Sequence, residues 1–198
     1  MSDFWFYTQL GLEHVLDFSA YDHILFLAAL AAPFTFRDWK KVLLLATIFT
    51  ITHCISLALS AYGILKVDVA LIEFLIPVTI ALTAVFNIYR AIKKEQTTGL
   101  YFTGLATAFF GLIHGFGFSN YFNMLMAEEP QKLKPLLGFA SGIELSQVAI
   151  IMFALIVASF FQKTLHIKKG YFAITASVLI LLITIPMLIE TFPKDSMP

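Results

Sequence analysis

Phe109-Phe110-Gly111-Leu112-Ile113-His114-Gly115-Phe116-Gly117-Phe118 is the stretch on which the reading of this chain turns. It is strongly apolar, carries three glycines and holds one histidine at its centre. Wound as a helix, it puts Gly111 and Gly115 on one face, four residues apart, where a neighbouring backbone can approach closely. His114 then points into a tight interface. In hydrocarbon that placement is costly unless the imidazole finds a partner or a ligand.

The surrounding chain supplies the hydrocarbon. Of 198 residues, 59% are hydrophobic, 13% are charged and 21 are phenylalanine; the mean hydropathy is +0.84. This composition lies outside the soluble range and predicts an all-α integral membrane protein, with residues 1–198 as a single transmembrane domain. A net charge of zero gives no support to a nucleic-acid partner. The lone cysteine, Cys54, excludes an intrachain disulfide and any CxxC metal site. The start, Met1-Ser2-Asp3-Phe4-Trp5, lacks the basic region of a cleaved signal peptide.

Six hydrophobic segments predict a bundle of six transmembrane helices at about 19–34, 39–61, 69–92, 100–118, 135–161 and 171–192. An amphipathic stretch, 1–18, precedes them and is expected at the interface. Arg37, Lys40 and Lys41 follow the first segment, Arg90, Lys93 and Lys94 the third, and Lys163, Lys168 and Lys169 the fifth. The alternate connections carry Lys66, then Lys132 and Lys134 diluted by Glu128 and Glu129. The positive-inside rule then places both termini on the outer, periplasmic side.

With that orientation the intramembrane polar residues share a depth. Asp22, His23, His53, Glu73, His114 and Glu144 all fall within roughly 6–12 Å of the outer surface, at 1.5 Å per helical residue. Five helices running in alternating directions each deliver a His, Asp or Glu to one layer. Thr50, His53 and Ser56 share a helix side, as do Ser141, Glu144 and Gln147, and Glu73 with Ile80 and Asn87. Pro77 cannot bond the carbonyl of Glu73, which frees that oxygen beside the carboxylate. Imidazoles with carboxylates make a borderline N/O donor set for a divalent transition metal. His14 and Asp17 are candidates for an outer vestibule, and Asn87 for the inward path. Gln147, Ser141 and Ser56 are candidates to orient the ligands.

His14 followed by Asp22-His23, the run FGLIHGFGFSN ending at Asn120, and Gly142-Ile143-Glu144 followed by Gln147 together resemble the HupE/UreJ family. Its members are small bacterial inner-membrane proteins found with hydrogenase and urease genes. That family's first motif has five residues between the leading His and the Asp-His pair; here seven intervene. The resemblance implies a multi-pass permease of the inner membrane carrying nickel or cobalt. Two other readings of the polar layer stay open. One is an intramembrane zinc hydrolase with Glu73 or Glu144 as general base, although no HExxH-type spacing occurs. The other is an assembly protein in which the layer only fixes helix register. The glycines suit a homo-oligomer interface as well as an internal one.

Overall fold

The computed structural model describes residues 3–94, 99–127, 129 and 131–193. Glu128 and the ends of the expected domain, 1–2 and 194–198, lie outside them. The described residues form seven α-helices and no strand: α1 Asp3–Leu16, α2 Asp22–Ala31, α3 Trp39–Ala61, α4 Val69–Lys93, α5 Leu100–Leu125, α6 Leu133–Lys163 and α7 Lys169–Glu190. A 3-10 turn, Phe36–Asp38, leads into α3, with Thr35 and Asp38 capping each other reciprocally. Five of the helices, α3 to α7, are long and apolar enough to cross a membrane.

The first expected span is different. The 19–34 segment yields only the ten-residue α2, about 15 Å long and too short to cross by itself. The stretch expected at the interface is α1, and it packs along α6 with Tyr7, Thr8 and Val15 buried. Between them Asp17 folds its carboxylate onto Ser19, accepting from the backbone N–H at 2.8 Å and the hydroxyl at 2.6 Å. This closes an Asx-type turn, a local bond that competes with continuing the helix.

The two short helices rest on α6 and α4 and reach α5 in succession through their rings. The Tyr7 ring meets Phe122 at 6.4 Å, His14 meets Phe118 at 3.9 Å, His23 meets His114 at 5.4 Å and Phe26 meets Phe110 at 6.1 Å. Rising residue numbers on one side thus meet falling numbers on the other. Together α1 and α2 rise about 36 Å, and the 26 residues of α5 rise about 39 Å.

Two glycine pairs set the spacing of the bundle. A Cβ on Gly115 would lie 2.3 Å from the His53 carbonyl oxygen, and one on Gly111 2.7 Å from that of Phe49. The α3 backbone therefore rests directly on α5, as the Gly111–Gly115 spacing predicts. The second pair is Gly138 and Gly142 of α6. Cβ atoms there would meet the Phe4 and Thr8 carbonyls of α1 at 2.5 and 2.0 Å, and Gly11 returns the contact onto Phe139.

Helix α5, the fourth expected span, runs past the expected 118 to Leu125, because its polar residues find partners without a turn. Ser119 donates to the Phe116 carbonyl, and Asn123 to the Ser60 hydroxyl at 2.9 Å. The basic residues Lys41, Arg90, Lys94 and Lys169 line one cavity and so mark one end of the bundle, the basic end.

Replacing Gly115 with valine forces α3 off α5, and thermal unfolding in detergent is expected to show a loss of about 3 kcal/mol or more, at the upper range for overpacking. Gly104→Ala, whose new Cβ would come no nearer than 3.5 Å to any atom, is the control expected to unfold like the wild type.

Candidate metal centre

Four histidines from four helices meet in the half of the bundle away from the basic end. His14 comes from the last turn of α1, His23 from the first turn of α2, His53 from α3 and His114 from α5. His14, His23 and His53 each offer a ligand atom within 4.8 Å of the others. Ring centroids lie 4.7 Å apart for His14 and His23, 5.6 Å for His23 and His53, and 5.7 Å for His14 and His53. His114 stands beside this trio, 5.4 Å from His23.

The glycine contacts explain the convergence. Gly115 follows His114 and abuts the His53 carbonyl, so the contact that seats α5 on α3 fixes the backbones that carry both imidazoles, and each ring reaches His23, at 5.4 Å from His114 and 5.6 Å from His53. The α1–α6 contact positions His14 in the same way, one turn after Gly11. The break at 17–21 then lets the chain turn so that His23 enters from the start of α2.

Seven of the eight ring nitrogens fall into two sets. His114 Nδ1 donates to the Phe110 carbonyl at 2.9 Å, and His23 Nδ1 to Asp22 Oδ1 at 3.1 Å. Both partners are acceptors, so each Nδ1 carries the proton and each Nε2 presents a lone pair. The other set has no hydrogen-bond partner: Nε2 of His14, His23 and His114, and both nitrogens of His53. Leaving a buried polar atom unsatisfied costs about 1–3 kcal/mol, so five such atoms in one cluster call for an occupant. The walls are aromatic. Phe26 and Phe49 stand 5.3 and 5.1 Å from the His114 ring, and Phe118 and Phe139 stack on each other beside His14.

The carboxylates expected in the layer are placed differently. Asp22 lies behind His23, its side chain 18% exposed, bonding both the ring and the backbone N–H of that residue. Glu144 is half-buried between α6 and α3. There it accepts from Thr47 at 2.5 Å, and the Thr50 hydroxyl lies 2.7 Å from its other oxygen. Thr50 also lies 3.1 Å from Gln147 Oε1, whose Nε2 is buried without a partner. This polar group sits one to two turns from His53 toward the basic end. Glu73 is exposed on α4 and makes no hydrogen bond or ion pair among the described residues.

The remaining candidates lie off the centre. Ser56 donates to the His53 carbonyl at 2.7 Å and Ser141 to the Leu137 carbonyl at 2.8 Å, each within its own helix. Asn87 ties α4 to the Ala29 carbonyl of α2 at 2.8 Å, and exposed Asp17 belongs to the turn.

Asp22→Asn removes the charged partner of His23 while keeping the shape, and a Ni²⁺ titration of purified protein is expected to show 10–100-fold weaker binding, the usual cost of losing a ligand's orienting group. Ser141→Ala is expected to bind as the wild type does.

No curated protein and no solved structure matches the chain. A family model does, over residues 1–191, described as HupE / UreJ protein. With nearly the whole chain covered, from the glycine-flanked His114 to the Asp22-His23 pair, this protein belongs to the HupE/UreJ family.

Proposed function

We propose that the protein is a secondary permease for a divalent transition-metal ion, nickel or cobalt, with the histidine centre as its binding site. The HupE/UreJ family is associated with nickel and cobalt transport, and the five unpartnered ring nitrogens carry the reading to these residues. Neutral imidazoles suit late first-row divalent ions and leave oxygen-preferring Mg²⁺ and Ca²⁺ poorly served. His14, His23 and His53 replace the ion's water and His114 stands in reach as a fourth donor. Asp22 acts as a positioning residue that raises the basicity of His23. The donor set is uncharged apart from that carboxylate. Such a site takes an ion from water without the grip of a thiolate cage, and transport requires that release.

The α1–α2 pair supplies the sixth crossing in this reading, a broken one with the break beside the site. Discontinuous helices of this kind recur at the ion sites of transporters, because a broken ladder opens carbonyls and helix ends to the cargo. With the basic end in the cytoplasm, both termini face the periplasm of the inner membrane. Glu144 with Thr47, Thr50 and Gln147 then forms the next station inward, an oxygen-rich group that draws the ion off the imidazoles. The zinc-hydrolase reading needs a general base at the metal. Glu73 is exposed and Glu144 is engaged by two threonines, so neither of these two is placed to serve.

In proteoliposomes, His23→Ala and His53→Ala are expected to lower Ni²⁺ or Co²⁺ uptake at least about tenfold without loss of folded protein; uptake at the wild-type rate in both would defeat the permease. Glu144→Gln is expected to slow uptake while leaving equilibrium binding at the histidines within about twofold of wild type.

A further inference from the structure

At the basic end two cavities, of about 430 and 760 Å³, share Pro33, Phe34, Asn87, Arg90 and Thr103 and so form one hollow. It lies where α2 stops at Ala31 and the chain turns away at Pro33, between the last turns of α4 and the first turns of α5. Its two parts differ in chemistry. The smaller is an apolar groove walled by Phe26, Leu82, Phe86, Phe102 and Phe110. Leu82 and Phe102 are more than half exposed, so the groove opens on the outer surface of the bundle. Among the described residues the larger holds Lys41, Arg90, Lys94 and Lys169 against one carboxylate, Asp38, which Lys41 already pairs at 3.0 Å.

Three further features favour an anion in the larger part. The N-termini of α5 and α7 open into it through Gly99-Leu100 and Lys169-Gly170. Neither has a side-chain cap, so first-turn N–H groups remain to be satisfied. Arg90 stands at the junction of the two parts, its guanidinium 5.7 Å over the Phe86 ring and its Nε buried without a partner. A cation leaving the histidines would meet repulsion here, so this hollow is not its exit. A free inorganic anion would use the chamber and leave the groove empty. An acyl chain with a negatively charged head fills both.

We propose that the hollow binds one anionic phospholipid of the leaflet at the basic end. Its acyl chain lies along Phe26, Phe86 and Phe102, and its phosphate among Arg90, Lys94 and Lys169. Basic pockets between membrane helices hold anionic headgroups by this combination of charge and apolar contact. The site lies where α2, α4 and α5 meet, beside the Asn87 bond to the Ala29 carbonyl. This site is independent of the metal reading.

Native mass spectrometry of the full-length protein, offered phosphatidylglycerol or phosphatidylethanolamine at equal concentration, tests it. The protein is expected to retain one phosphatidylglycerol in preference to phosphatidylethanolamine. Arg90→Gln/Lys94→Gln/Lys169→Gln is expected to reduce that occupancy about tenfold or more. Ala106→Phe, which puts a ring into the groove and leaves every charge in place, is expected to reduce it as well. Both variants should keep the wild-type melting temperature and Ni²⁺ binding, which separates a lost lipid from a lost fold. Equal retention of the two lipids, or undiminished phosphatidylglycerol in the triple variant, would overturn the proposal. So would inorganic phosphate binding to the chamber with lipid occupancy unchanged by Ala106→Phe.

Discussion

The contact of α3 on α5 is the constraint from which the rest of the structure follows. Gly111 and Gly115 have no side chains to hold the helices apart, so the carbonyls of Phe49 and His53 sit where Cβ atoms would otherwise be. In a bilayer, where lipid is as apolar as leucine, close packing of this kind is a main source of helix association. Here it also sets the chemistry. The residue before Gly115 is His114, and the carbonyl that Gly115 meets belongs to His53, so the close approach also fixes two of the backbones whose imidazoles meet at His23. Gly11, Gly138 and Gly142 repeat the device between α1 and α6 and bring His14 to the same place.

What these contacts assemble is an uncharged, aromatic-walled set of lone pairs. A histidine buried for packing alone would turn its nitrogens toward carbonyls or hydroxyls, since each unsatisfied nitrogen weakens the fold. His23 and His114 satisfy one nitrogen each and withhold the other; His53 withholds both. The pattern suits ligands held ready, with Nδ1 anchored and Nε2 offered. Nearer the basic end the surroundings change to carboxylate, amide and hydroxyl around Glu144. The two groups lie in succession along α3, and in the proposed permease an ion passing between them would exchange nitrogen donors for oxygen ones.

Much of this was legible in the sequence, and the rest was hidden for physical reasons. Composition announced the membrane, and the four-residue interval of Gly111 and Gly115 announced the close approach. His23, His53 and His114 were marked by their shared depth. His14 was harder, because its spacing to Asp22 departs from the family's motif. The break at 17–21 explains why that matters little, since residues on two separate helices need no common helical phase. The same break defeats a hydropathy reading, which sees one apolar segment at 19–34 where the helix is ten residues long. Glu73 was grouped with Ile80 and Asn87 at intervals of seven. A straight helix drifts about 20° per heptad, and Pro77 interrupts the ladder between them. Ile80 and Asn87 are buried while Glu73 is exposed. The α1–α6 glycines went unread, although Gly138 and Gly142 carry the same interval as the pair that was recognised.

The proposed metal site depends on its imidazole ligands. The most direct measurement is X-ray absorption at the metal edge of purified protein loaded with one equivalent of Ni²⁺ or Co²⁺. The proposed site predicts a nitrogen-containing first shell with the outer-shell scattering of three or four imidazoles, lost in His23→Ala/His53→Ala. A shell of oxygen alone, or a spectrum unchanged by the double substitution, would contradict it.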